Sequence, residues 1–173
     1  MMLDRDGTLR WSTGLYELSR YRRRQTVAQS SPRHSVSVAA AIVNPAGRLL
    51  AVRRHDNGHW EPPGGVLELD ETIQAGLVRE VLEETGLRVE PEALTGVYKN
   101  MRRGIIALVF RCHIIGGEPG ATNEADEVTW LTPAEVRELM DEAYATRLLD
   151  ALESGSVAIR AHDGLSLLPS SSR

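Results

Sequence analysis

From Ser35 onward, short apolar runs alternate with polar interruptions, and the lengths of the early runs predict strands. Ser35 to Val43 is rich in β-branched and small apolar residues, Asn44-Pro45-Ala46-Gly47 has the composition of a turn, and Arg48 to Arg54 carries Leu49, Leu50, Ala51 and Val52. Two strands joined this tightly predict a hairpin. The loop Asp56-Asn57-Gly58 leads to a short segment around Trp60 and then to Pro62-Pro63-Gly64-Gly65, which no regular element crosses without a bend. Over Asp70 to Thr85 the period changes. Ile73, Leu77, Val78, Val81 and Leu82 fall on one side of a helix that opens on acidic residues and stops at Gly86. Arg88 to Asn100 and Ile105 to Ile115 predict strands around Met101-Arg102-Arg103-Gly104, and Val128 to Leu131 predicts a short strand. Pro133 to Glu153 predicts a second helix with proline in its first turn. Strands fill the middle, helices flank them and no segment repeats another, so the fold class is α/β.

The chain has 173 residues, enough for one domain with a sizeable core and too few for two full domains and a linker. Hydrophobic residues at 42% and charged residues at 25% exclude a disordered chain or a membrane protein, and no apolar stretch approaches the roughly 20 residues a bilayer requires. A net charge of -4 gives no general attraction to nucleic acid or to an anionic membrane, so neither is expected as a partner. The single cysteine, Cys112, cannot form an internal disulfide, in keeping with a reducing cytoplasm, where the sequence places the protein. Lys99 is the one lysine among 20 basic residues, which reads as a GC-rich genome before it reads as a choice of arginine for phosphate.

Charge divides the chain. Residues 1–33 carry a net +4, with seven arginines, and the remainder carries -8. The basic lead ends in the polar stretch Gln29-Ser30-Ser31-Pro32-Arg33, a linker composition. The organisation expected is a basic arm over 1–33, a main domain over 34–160 and a C-terminal tail over 161–173. Arg22-Arg23-Arg24 followed by the apolar run from Val36 suggests an export signal, but that run passes straight into a turn and a second apolar segment, as a core strand does. Asp4-Arg5-Asp6-Gly7-Thr8-Leu9 resembles the aspartyl nucleophile loop of haloacid dehalogenase-like phosphatases. That resemblance covers six residues, and only Met1, Met2 and Leu3 stand where the family has a buried strand.

The chemistry concentrates on the first helix. At about 100° per residue, Glu80, Glu83 and Glu84 share one side, beside the apolar face. Like charges at these spacings repel by a few tenths of a kcal/mol per pair in water, and a divalent cation reverses the sign. Hard cations prefer carboxylate oxygen, and Mg²⁺ commonly combines one or two carboxylates with waters and substrate phosphate. Three glutamates alone also fit a solvated acidic face.

The wider spacing is more specific. Gly65, five residues, Glu71, seven residues and then Arg79-Glu80-Val81-Leu82-Glu83-Glu84-Thr85-Gly86-Leu87 resembles the Nudix box of the Nudix hydrolase family, with no departure at a defining position. Trp60 and Gly64-Gly65 before it, and Glu127-Val128-Thr129-Trp130 after it, agree. Pro62 stands where the family commonly has Leu or Phe, a change expected to alter local packing more than metal binding. The resemblance implies an α/β/α sandwich with a mixed β-sheet. It also implies Mg²⁺ or Mn²⁺ as cofactor, and hydrolysis of a phosphoanhydride bond in a nucleoside triphosphate or a nucleoside diphosphate linked to another group. It implies Glu80, Glu83 and Glu84 as metal ligands, the Gly64 carbonyl as a further one, and Arg79 with Glu71 as the pair that orients them. Bound cations stabilise charge on the diphosphate and acidify water, and an arginine fork holds carboxylates in a geometry that lysine does not reproduce.

The general base is either a glutamate of the box or one in a later loop. Glu124, in Asn123-Glu124-Ala125-Asp126-Glu127, is the candidate late ligand or base, against an exposed loop carboxylate; Glu127 reads as structural. For substrate binding the candidates are Arg53, Trp60, Tyr98 and Arg102, with Arg54, His55, His59, Asn100 and Arg103 beside them. Trp60 offers a ring to stack on a base or to pack at a strand end. The signatures of the ADP-ribose, dinucleoside polyphosphate, NADH and coenzyme A subclasses are absent at their expected spacings, leaving a nucleotide-pool hydrolase or a broad-specificity member. The resemblance leaves a homodimer open. The second reading, from another class, is a non-catalytic nucleotide-sensing domain whose basic arm contacts a regulatory partner or nucleic acid. Such domains tend to lose box carboxylates, and this chain keeps them all.

Overall fold

The computed structural model describes residues 32–153 and 155–169. The polar stretch through Ser31, most of the basic arm and the Asp4 to Leu9 segment lie outside the described residues. Among the described residues, eight strands and three helices follow in the order β1 (Ser35–Ile42), β2 (Leu49–Arg54), β3 (Trp60–Glu61), β4 (Gly64–Val66), α1 (Ile73–Thr85), β5 (Leu87–Asn100), β6 (Ile105–Gly117), β7 (Ala125–Leu131), α2 (Pro133–Leu139), α3 (Glu142–Asp150) and β8 (Ala158–His162). They form a five-stranded mixed sheet, β4-β1-β6-β5-β8, and a three-stranded antiparallel sheet, β3-β2-β7.

Strand β1 shows how the layers are built. Its residues are apolar on both faces, so it must be covered twice. Val38, Ala40 and Ile42 meet Leu77 and Val81 of α1, while Ala39 and Ala41 face the cluster that holds Val136 of α2 with Ala145 and Leu148 of α3. Helices on both sides of the strands give the α/β/α arrangement the sequence predicts. Among the described residues, no helix is long and apolar enough to cross a membrane.

Three expectations are corrected. The turn after β1 is tight, with Asn44 Oδ1 accepting from Ala46 and Arg48 amides at 3.0 Å, but β1 and β2 are not a hairpin. They share only the Val43–Leu49 bridge. β1 needs β4 and β6 on its edges and β2 needs β3 and β7, so the turn carries the chain from one sheet to the other. The long helix predicted over Pro133 to Glu153 is two. Met140 and Asp141 adopt extended ψ angles of 146° and 145°, and Asp141 starts α3, with its carbonyl accepting from Tyr144 and Ala145. Last, Ala158–His162 adds a parallel edge strand to β5, and His162 bridges Leu167, so ordered structure runs across the expected boundary at residue 160.

Candidate active site

Helix α1 sets the geometry of the acidic cluster. The Thr72 side chain caps its start by accepting from Ala75 N–H at 3.2 Å, which is why it begins after the predicted Asp70. Gly86 ends it in the left-handed conformation, φ 75°, donating to the Leu82 carbonyl. The buried stripe is rotated from the one expected: Leu77 and Val81 are sealed, Ile73 and Leu82 are exposed, and Glu80, Glu84 and Thr85 are buried instead. The rotation turns two carboxylates toward the backbone of β4. Glu84 Oε2 accepts from Gly64 N–H at 2.7 Å. The Glu80 carboxylate lies so close over Gly65 that a β-carbon there would overlap it. At Gly64, φ is 150° and a β-carbon would strike the Val38 carbonyl, so both glycines are needed for close approach.

Arg79 ties the cluster together. Its Nε and Nη2 hold the two oxygens of Glu71 at 3.0 and 2.8 Å, and its Nη1 bridges Glu80 and Glu83 at 2.9 Å each. The hydrogen bonds from Arg79 pull the Glu71 carboxyl below its usual value, and the same bonds raise Arg79. Burial works the other way on Glu80, pushing it up against the pull of Arg79. It pushes Glu84 up to about 8, with the Gly64 amide opposing and the charges of Glu61 and Glu80 adding to the rise. Glu83 is half-exposed at the edge.

Among the described residues, no three acidic, His or Cys side chains meet around one point, because Arg79 and Gly64 N–H hold the carboxylate oxygens. The donor set nevertheless fits a hard divalent cation. It consists of carboxylate oxygens beside an open backbone, and two of the three carboxylates, Glu80 and Glu84, are buried and raised by desolvation. Glu124 is exposed, its carbonyl accepting from His55 N–H at 3.1 Å, and its charge adds to the rise at Glu80. Glu127 pairs with Arg53 at 3.6 Å.

Gly64 and Gly65 border a cleft of about 410 Å³ that is also lined by Arg54, Glu61, Asn100, Arg103, Tyr144 and Arg147, within the size range of small-molecule sites. Of the four substrate-binding candidates none lines this cleft. Arg53 points away to Glu127, and its neighbour Arg54 takes the cleft side, held by Asp56 at 2.8 Å and Glu61 at 3.2 Å. Trp60 packs against the core cluster beside α2 and α3 and borders a separate depression with His59 and Leu139. Tyr98 is fully buried and its hydroxyl donates to Asp150 at 2.8 Å, so it has no surface for a ligand. Arg102 pairs with Asp163 at 3.0 Å, outside the cleft. His59, Asn100 and Arg103 do line it; His55 does not.

Glu61, Tyr144 and Arg147 were absent from the sequence reading. Glu61 is signalled only by alternation next to Trp60. Tyr144 and Arg147 have i, i+3 spacing on α3, visible once Asp141 is read as the start of a new helix.

Comparison with known proteins agrees with the acidic helix and its sheet. The model of the NUDIX domain matches residues 33–152. A MutT-like protein of Streptomyces ambofaciens is 61% identical over 142 residues, covering 82% of this chain and 92% of that protein. A putative 8-oxo-dGTP diphosphatase 2 of Mycobacterium tuberculosis is 34% identical over 112 residues, 61% of this chain and 79% of that protein. The solved structure of an ADP-ribose pyrophosphatase from Streptococcus suis shares the fold with a TM-score of 0.62 at 23% identity, covering 75% of this chain and 100% of that one. The domain match spans the whole acidic cluster and both sheets' central strands, and the chain therefore belongs to the Nudix hydrolase family.

Proposed function

We propose that the protein is a Mg²⁺-dependent pyrophosphohydrolase that cleaves a phosphoanhydride bond in a nucleoside triphosphate or a nucleoside diphosphate-linked substrate. The observation that carries this reading is the gathering of Glu80 and Glu84 against Gly64 and Gly65 at the edge of an arginine-bearing cleft, with Glu83 joined to Glu80 through Arg79. A hydrolase of diphosphates needs hard-cation ligands and phosphate donors within one cleft. The name carried by one similar protein, a putative 8-oxo-dGTP diphosphatase 2, describes a substrate of the first class.

Glu80, Glu83, Glu84 and the Gly64 carbonyl would hold the cation, Mg²⁺ or Mn²⁺. When bound, it supplies charge neutralisation on the diphosphate and a water of lowered pKa. Arg79 keeps Glu80 and Glu83 oriented toward each other and, through its fork on Glu71, fixes the helix to the residues before it. Glu124, exposed in the loop that leads into β7, would be the group that takes a proton from the attacking water at its carboxylate. Arg103 lines the cleft with no carboxylate partner among the described residues and supplies a donor for phosphate. The reaction takes place in the cytoplasm on a small nucleotide-type substrate.

The test is release of phosphate and pyrophosphate from nucleoside triphosphates, oxidised nucleotides, ADP-ribose, nucleotide sugars and dinucleoside polyphosphates, with and without Mg²⁺, using Glu84→Gln as the blank. Turnover that needs both Mg²⁺ and Glu84 is expected. Tight nucleotide binding without metal-dependent hydrolysis by folded protein would overturn the reading in favour of a sensor.

A further inference from the structure

Arg147, on α3, is the one buried arginine or lysine among the described residues, 9% exposed. It forms no ion pair there, although it borders the cleft. None of its nitrogens meets a carboxylate or carbonyl oxygen among the described residues. Nε is sealed from solvent without a hydrogen bond. Nη2 lies 3.4 Å from His162 Nε2, but His162 Nδ1 accepts from Gly164 N–H at 3.1 Å, which leaves the ring proton on Nε2 and sets donor against donor. Nη1 has no hydrogen bond among the described residues. Glu61 acts on Arg147 through space and is already paired with Arg54 at 3.2 Å. The Tyr98 hydroxyl is given to Asp150.

The protein instead fixes the guanidinium by its face. It lies 4.6 Å from the Tyr144 ring centroid and 5.8 Å from that of Tyr98, a cation–π seat that orients the planar fork and leaves its edges unused. Burial pulls Arg147 below the ordinary arginine pKa. A desolvated cation without an acceptor is costly to a fold, and the open side of this one is the cleft.

We propose that Arg147 is a substrate-selecting residue, whose buried guanidinium, seated on Tyr144 and Tyr98, binds an anionic phosphoryl oxygen of the nucleotide in the cleft. The inference rests on the cleft being the nucleotide site and names the side chain that takes the phosphate there. The fork matches a phosphoryl group through two parallel hydrogen bonds, and Tyr144, which also lines the cleft, keeps the fork from turning away.

The test uses the full chain, with Arg147→Met and Arg147→Lys, and two readouts. In EDTA, inorganic pyrophosphate is expected to raise the melting temperature of the wild type, to do so less for Arg147→Lys, and to leave Arg147→Met unmoved. Without pyrophosphate, Arg147→Met is expected to melt at or above the wild-type temperature, because it removes an unpaired buried charge. On a substrate identified by the panel, Arg147→Met is expected to raise KM about ten- to a hundredfold, the size of lost hydrogen bonds to a charged group, with kcat within about threefold. Arg147→Lys should raise KM less. A wild-type KM in both variants, a wild type indifferent to pyrophosphate, or a collapse of stability in Arg147→Met with an unchanged pyrophosphate response in Arg147→Lys would overturn the proposal. If no panel compound is hydrolysed, the proposed reaction fails, while the pyrophosphate readout still decides the role of Arg147.

Discussion

Gly65→Ala adds one methyl group to the protein, and the structure specifies what it meets. The three atoms nearest to the new β-carbon all belong to the carboxylate of Glu80, which it overlaps. Gly65 pairs with Val38 in β4, and a β-carbon is no obstacle to that ladder. The strand can therefore keep its place while Glu80 swings aside. Moving it breaks the 2.9 Å bond to Arg79 Nη1 and forces a less favourable rotamer. A charge-assisted hydrogen bond contributes about 1.5–3 kcal/mol when desolvated. Arg79 is 28% exposed, so about 1 kcal/mol is appropriate, and the rotamer adds about 0.5–1 kcal/mol. The stability loss is then about 1.5–2 kcal/mol, or about 5–8 °C in melting temperature. The functional loss is larger, because a displaced carboxylate is a displaced ligand: Mg²⁺ affinity and turnover should each fall at least about tenfold to a hundredfold. Calorimetric titration with Mg²⁺ and the release assay measure both. A Gly65→Ala protein that binds Mg²⁺ and turns over like the wild type would show that Glu80 is not a ligand, and the geometry around Gly64 and Gly65 would need another purpose.

Three further perturbations separate the roles of buried groups. Glu84→Gln keeps an oxygen for the Gly64 amide but should lower turnover by about a hundredfold or more. Because burial raises Glu84 from an ordinary 4.5 to about 8, folded metal-free protein retains a proton there that the unfolded chain has lost. Stability in EDTA should therefore fall as pH rises between those values, and fall less in Glu84→Gln; parallel melting profiles would refute this. Tyr98→Phe removes the hydroxyl bonded to Asp150 and should lower stability by about 1 kcal/mol without changing KM; a raised KM at unchanged melting temperature would put Tyr98 back at the substrate. Arg54→Ala leaves buried Glu61 without its 3.2 Å partner and should lower stability by about 1–2 kcal/mol once Glu61 is ionised. Burial raises Glu61, so the loss measured by thermal melting should be greater at pH 8 than at pH 5, and an equal loss at both would refute the pairing argument.

The acidic helix was legible because its information is local. A cap, a 3.6-residue period and a glycine stop determine α1, and the i, i+3, i+4 glutamates must then share a side whatever surrounds them. The cleft was not, because its lining depends on where distant elements end. Tyr98 and Asn100 lie on the same side of β5, about 6.6 Å apart. α3 covers the first through Asp150 and stops short of the second, which lines the cleft. Reading Tyr98 as a cleft residue required only that error of one strand repeat. The register shift between Arg53 and Arg54 in the β2–β7 pair likewise decides which arginine turns inward, and an irregularity of that kind leaves no mark in composition. The break at Met140–Asp141 has neither proline nor glycine to announce it. Missing it hid Tyr144 and Arg147, since their orientation follows from where α3 begins.

The two charged ends of the cleft explain why neither is neutralised within the protein. Once Glu84 is ionised, it and Arg147 have opposite charge, both are buried, and Glu61 acts on each of them. A direct pair between them would give both groups a partner at once and would take the Arg147 guanidinium away from any ligand in the cleft. The fold prevents it by placing the carboxylate on α1, against the Gly64 amide, and the guanidinium on α3, against tyrosine rings that cannot neutralise it. Glu61 could bridge the gap, but Arg54 holds it. The separation costs stability in the free protein, and under the proposed function it would leave both groups to a ligand of matching charge, a divalent cation at one end and phosphoryl oxygens at the other. Substitutions that neutralise either end should therefore tend to stabilise the metal-free chain while weakening its grip on nucleotide, the opposite of what removal of an ordinary core contact does.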